Sequence, residues 1–209
     1  MSEASDQYAS RSQAEGSSRA AQQRDRILGA AQRCFVEHGF HAASMAKIAE
    51  TAGMSPGLIY RYFHGKNEII LAIIERQLAE RQEDIARLRG ASGLVSGPVE
   101  AFEQWRDGNP GIFNAALFLE MSAEATRDPR IADALREADL ASRKSFRDWM
   151  SRSVEEGGLG MPEEMTETRA IILECLYEGL AIRAVREPDL DLETLRRALA
   201  ECLPLLLAH

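Results

Sequence analysis

Disulfide pairs, strand-forming residues and histidine are all scarce in this 209-residue chain, and each shortage closes off a class of protein. The three cysteines, Cys34, Cys175 and Cys202, are odd in number, far apart and outside any CxxC spacing, which argues against a disulfide framework and a zinc site. They read as buried small hydrophobes. The longest apolar runs, Ile69 to Ile74 and Leu203 to Ala208, fall far short of the roughly 18–20 residues of a membrane span. Met1 to Ser18 lacks the apolar stretch of a secretory signal, so the cytoplasm is the expected location and a membrane is not an expected partner. Five valines and five threonines stand against 31 alanines and 22 leucines, a ratio that predicts an all-α protein. His38, His41, His64 and His209 leave the C-terminal part without an internal histidine. With no HExxH, ExxH pair, GxSxG or phosphate loop either, neither catalysis nor a metal nor a cofactor is expected.

What the chain has in excess is acid, with a net charge of −8, and that balance by itself disfavours a nucleic-acid partner. Its distribution reverses the inference. Residues 19–66 hold Arg19, Arg24, Arg26, Arg33, Lys47, Arg61 and Lys66 against only Asp25, Glu37 and Glu50, whereas residues 67–209 hold 17 basic and 27 acidic side chains. A small cationic module precedes a large anionic one.

Residues 1–18, rich in Ser, Ala, Gln and Glu without periodicity, are expected to be a disordered leader. Beyond them the spacing is helical. Ile27, Ala30, Ala31, Cys34 and Phe35 predict a first helix over about 20–38, ended by Gly39. Ser44 caps a second helix that stops at Gly53, and Ser55-Pro56 opens a third, about 56–62. A fourth is expected over about 67–89. A loop of small residues, Gly90 to Gly97, then leads to a fifth helix at about 98–106. Asn109-Pro110-Gly111 is a turn, and further helices follow at about 112–127, 129–156, 162–186 and 191–207, about nine in all.

The second and third helices, joined at Gly53-Met54-Ser55, make a helix-turn-helix, whose second helix can enter a DNA major groove. Taken alone, such a hairpin is as compatible with plain packing. The run Ile48-Ala49-Glu50-Thr51-Ala52-Gly53-Met54-Ser55-Pro56-Gly57-Leu58-Ile59-Tyr60-Arg61-Tyr62-Phe63-His64-Gly65-Lys66 resembles the DNA-binding domain of the TetR/AcrR family of bacterial transcriptional regulators. The resemblance covers about residues 22–82, with the motif at about 45–64. It departs from the family pattern at Ala43, where Thr is common, and at Asn67, where an acidic residue usually opens the fourth helix; Asn67 can still cap. The domains expected are therefore a leader, 1–18; a helix-turn-helix DNA-binding domain, 19–66; and a helical effector-binding and dimerisation domain, 67–209.

Candidate DNA contacts follow from residue chemistry read beside the resemblance. Ser44, Lys47, Tyr60, Tyr62 and Lys66 suit phosphates, the tyrosines having packing as the alternative. Arg61 can reach a guanine edge or a phosphate. Ser55, Pro56, Gly57 and Leu58 lie at the start of the third helix, where free N–H groups suit phosphate, Gly57 permits close backbone approach and Leu58 can meet a thymine methyl. The resemblance implies a palindromic operator in double-stranded DNA, bound by a homodimer and released by a small-molecule effector, with repression the more common sign. The alternative is a helical interaction protein that does not bind DNA.

In the C-terminal part, Phe102, Trp105, Phe113, Leu117, Glu120, Met121, Phe146, Trp149, Met150 and Tyr177 are candidates for a largely apolar effector pocket, or else they are core. Ile171 to Val185 is too apolar for a helix with one solvated face, which makes Ile172, Cys175, Leu176, Gly179 and Ile182 candidates for a dimer interface with Leu195, Leu199, Cys202 and Leu206 of the last helix, burial wholly inside one subunit being the alternative.

Overall fold

The computed structural model describes residues 2–107 and 114–207, with side chains beyond residues 2–17, 91, 92 and 94. The turn expected at Asn109-Pro110-Gly111 and the pocket candidate Phe113 lie outside the described residues. Among the described residues the fold is all-α: α1 (Ser2–Ala42), α2 (Met45–Ala52), α3 (Pro56–Ile59), α4 (Lys66–Arg87), α5 (Gly90–Arg106), α6 (Ala115–Ala125), α7 (Pro129–Ser151), α8 (Glu163–Arg186) and α9 (Leu192–Leu207). Two compact units, Met1–Ile69 and Ile70–His209, divide the chain within α4.

In the first unit α1 runs to a break at Gly39, whose φ of 76° and ψ of 160° suit glycine almost alone. The helix begins at Ser2, where a disordered leader was expected. Ser, Ala, Gln and Arg tolerate helix well enough to extend the ladder of a helix already anchored downstream. Ile27, Ala31, Cys34 and Phe35 of α1, Ile48 and Ala52 of α2, Ile59 of α3 and Phe63 are all buried. α2 is capped by Ser44, whose hydroxyl accepts from the Lys47 amide at 3.1 Å, and is closed by Gly53 in the left-handed region at φ 62°. Asn67, expected as a cap, lies inside the first turn of α4; Glu68 supplies the acceptor there, taking the His64 amide at 2.7 Å.

The second unit packs its core from Phe102 and Val99 of α5, Phe146, Trp149 and Met150 of α7, Leu173 and Ala181 of α8, and Leu199 and Leu203 of α9. Two stretches depart from the expected helices. Residues 90–97, read as a loop, are the first turns of α5, which carries Pro98 inside it. The small residues there permit close packing: a Cβ at Gly97 would sit 3.5 Å from Tyr177 Oη, and one at Gly93 3.6 Å from Leu88 Cδ2. α7 stops at Ser151, earlier than the periodicity suggests, because the chain doubles back on itself. The amides of Gly160 and Met161 donate to the carbonyls of Arg152 and Met150, and a Cβ at Gly158 would lie 2.2 Å from Arg152 O.

Candidate nucleic-acid interface and effector cavity

The helix-turn-helix keeps one face for its own core and leaves the other to solvent. Ile48, Ala49, Ala52, Ile59 and Phe63 point inward, while Ser44, Lys47, Ser55, Pro56, Gly57, Tyr60 and Arg61 are exposed and Leu58 and Tyr62 half-buried. The Tyr60 side chain is 50% exposed, too open for a packing aromatic. The Ser55 hydroxyl makes no cap hydrogen bond. Lys47 pairs only with Glu50 on its own helix, at 3.1 Å, an exposed contact weak enough to yield to a phosphate. The Arg61 guanidinium has no ion pair or hydrogen bond among the described residues.

Gly57 is the most informative of these positions. A Cβ built there meets nothing within 4 Å and its φ is ordinary, so no turn, strain or intramolecular contact requires glycine. In a helix interior glycine costs about 1 kcal/mol relative to alanine, and nothing within the unit offsets that cost at Gly57.

Two basic side chains not singled out in the sequence brace this hairpin from α1. Arg24 lies 4.4 Å above the Phe63 ring and donates to Tyr62 O at 3.4 Å, and Arg26 donates to Gly53 O at 3.4 Å. The only advance signal was their charge on a helix whose other face is apolar.

Lys66, expected to reach phosphate, is turned inward. Its ammonium donates to Phe40 O at 2.7 Å and His41 O at 3.1 Å, capping the end of α1, and sits 4.7 Å from the Phe40 ring centre. A substitution separates the two roles. Lys66→Met is expected to lower the stability of the chain by about 2 kcal/mol in denaturant unfolding, the scale of charge-assisted hydrogen bonds. It should leave the salt dependence of DNA binding unchanged, whereas loss of a phosphate contact reduces that slope by about one.

The second unit holds a cavity of about 550 Å³. α4 contributes Glu80, Arg81 and Asp84, and the link after it Leu88; α5 contributes Gly93, Gly97, Glu100 and Trp105; Phe146 comes from α7, and Glu174, Tyr177 and Glu178 from α8. Trp105 and Tyr177 meet edge to face at 6.3 Å, and Phe146 lies 5.9 Å from Tyr177. Of the pocket candidates, Trp105, Phe146 and Tyr177 line this space. Phe102, Leu117, Met121, Trp149 and Met150 are buried instead, and half-buried Glu120 does not line it. Apolar surface makes up the larger part of the lining, as expected, but eight of its eighteen residues are charged. The large side chains fill the core; the space opens where α5 is small, and α4 and α8 border it with acids. Burial pushes the carboxyls of Glu80, Asp84, Glu174 and Glu178 above their ordinary values, and the Tyr177 phenol likewise, so the phenol remains a neutral donor.

Of the interface candidates, Ile172, Cys175, Gly179 and Cys202 are exposed and Leu176, Ile182 and Leu206 half-buried. Leu195 and Leu199 belong to the core, because α9 turns that stripe toward α5. Cys175 and Cys202, expected to be buried, are exposed; Cys34 is buried as expected.

Comparison with known proteins agrees with both halves. Residues 27–73 match "Bacterial regulatory proteins, tetR family", and residues 113–208 match "BetI-type transcriptional repressor, C-terminal". The chain is 31% identical over 182 residues to the HTH-type transcriptional regulator UidR of Escherichia coli K12, covering 83% of this chain and 84% of UidR. The chain belongs to the TetR family. This TetR-family regulator is also 27% identical to the HTH-type transcriptional repressor AcnR of Corynebacterium glutamicum, with 77% and 80% of the two chains covered. Its fold superposes on Salmonella enterica GusR with a TM-score of 0.65 at 28% identity, over 87% of this chain and 95% of that one. The protein is thus a helix-turn-helix transcriptional regulator. No helix among the described residues is long and apolar enough to cross a membrane.

Proposed function

We propose that this TetR-family regulator is a repressor that binds a palindromic operator as a cytoplasmic homodimer and releases it when a small molecule occupies the cavity of its second unit. The observation that carries the DNA-binding surface is the exposed rim of α3, where Ser55, Gly57, Tyr60 and Arg61 have no structural duty that accounts for them. Ser44, Lys47, Pro56, Leu58 and Tyr62 complete the surface, and Lys66 supports it from behind.

The homodimer reading rests on α8. Ile172, Cys175, Gly179 and Ile182 share a side of the helix turned away from the core, with Leu176 at its edge against the core, an apolar stripe that water alone does not explain. Gly179 again has open space where a Cβ would be, inside a helix, as expected where a second helix crosses closely. Glu174 and Glu178 stand on a different side of the same helix, so ligand in the cavity and a partner on the stripe would both act on α8.

Selection of bound duplexes from genomic DNA tests the reading. Recovery of a two-fold symmetric site holding at least two chains, with affinity falling steeply as salt rises, is the expected result. A protein that recovers no sequence in particular, with affinity indifferent to salt, is the helical interaction protein of the alternative.

A further inference from the structure

The cavity carries more information than its existence, because its charges are unevenly satisfied. Its three arginines are all engaged. Arg81 donates to Ser142 Oγ at 3.4 Å and faces Asp139 at 3.7 Å; Arg87 pairs with Glu83 and Asp84; Arg89 donates to the carbonyls of Ala86 and Leu88. On the acidic side, Glu80 is paired to Arg76 at 3.2 Å and Glu174 Oε2 to Arg143 at 2.8 Å. That leaves Glu100 and Glu178 with no ion pair or hydrogen bond among the described residues. Glu174 Oε1 is without a partner as well, but it is buried and closed to the cavity. Beside these acceptors stand the faces and edges of Trp105, Phe146 and Tyr177.

We infer that the effector is a small aromatic amine, positively charged at neutral pH, held by Glu100 and Glu178 against the wall formed by Trp105, Phe146 and Tyr177; this rests on reading the cavity as the effector site. An ammonium donates hydrogen bonds and brings the positive charge that these two carboxylates lack as a partner. Aromatic faces attract the same cation and stack on its ring. The volume is within the range of pockets that enclose molecules of that size. An anionic ligand meets the opposite conditions, since each arginine would first have to leave its present partner. A neutral apolar ligand would cover Glu100 and Glu178 without compensating either of them.

Matched triplets of probes built on phenyl, indole and naphthalene rings decide the matter: the arylethylamine, its N-acetyl derivative and the corresponding arylacetate, titrated calorimetrically into the full chain. The amine is expected to bind at least about tenfold more tightly than its neutral and anionic partners on one or more rings. The double variant Glu100→Gln, Glu178→Gln, at side chains that make no hydrogen bond or ion pair among the described residues, should lose that preference, while Glu155→Gln, in an exposed loop outside the cavity, should keep it. Equal or better binding of the neutral or anionic probe, no binding of any amine, or a preference that survives the double variant overturns the inference. Operator release is measured alongside. Amines that bind through the two glutamates yet release no DNA sink the effector reading while the cation site stands; release by a neutral or anionic probe does the reverse.

Discussion

Gly57→Gln is expected to reduce operator affinity by more than about 100-fold while leaving thermal unfolding of the chain unchanged, and Gly57→Ala by at least about tenfold, at 1.4 kcal/mol per factor of ten. Nothing inside the molecule opposes either side chain, since a Cβ at this position meets open space and the backbone is ordinary. By helix propensity alone the alanine variant should be slightly more stable, by up to about 1 kcal/mol. The loss must therefore come from outside, where the start of α3 approaches phosphate closely enough that a methyl group displaces it. Titration of the selected operator, together with a melting curve of each variant, separates the two effects. Undiminished affinity in Gly57→Gln would mean that α3 does not approach DNA at this end, and the proposed contacts of Ser55 and Leu58 would fall with it.

The same logic explains which parts of the molecule were legible beforehand. Helices declared by caps and glycines, such as Ser44 to Gly53, fall where their signals put them, because a cap and a left-handed stop act locally. The HTH surface was legible because its exposed residues are those the inward periodicity of Ile48, Ala52, Ile59 and Phe63 leaves over. The carbonyl partners of Lys66 were not legible, since a lysine's reach does not say whether a carbonyl or a phosphate lies at its end; Phe40 O comes within 2.7 Å only once α1 and the start of α4 are folded together. The cavity was the least legible feature. A cavity is where large residues are missing, and the sequence signal used for it, a concentration of aromatic and methionine side chains, marks well-filled space. Gly93 and Gly97, read as loop, are what make room for it. Its acids were invisible for a related reason. Glu80 and Asp84 on α4 meet Glu100 on α5 and Glu178 on α8 only through packing among three helices, and no periodicity on one helix encodes that meeting.

Arg143→Met is expected to destabilise the second unit by about 3 kcal/mol, the low end of the range for removing one member of a buried ion pair, because Arg143 is itself partly open to solvent. Arg143 donates to Glu174 Oε2 at 2.8 Å and approaches Glu167 at 3.8 Å. Because Glu174 Oε1 is already without a partner, losing Arg143 leaves both oxygens of a side chain that is 10% exposed unpaired. The pH dependence identifies the cause. Burial raises the Glu174 carboxyl above its ordinary value, and the hydrogen bond and charge of Arg143 only partly offset it; without Arg143 it rises further. A carboxyl raised in the folded state favours folding when protonated. Stability is therefore lost as pH climbs from the ordinary glutamate value through the folded one. The deficit of the variant should be smallest near about pH 4, where Glu174 is neutral with or without Arg143, then widen through the window above that and level off once the folded carboxyl ionises. A deficit independent of pH would assign the loss to packing of the arginine stem. Adding Glu174→Met to Arg143→Met should recover most of the stability, since removing both charges abolishes the desolvation cost that removing one exposes. One double variant thus assigns Glu174 the duty of fixing α7 to α8 through Oε2, a duty that apolar packing can take over.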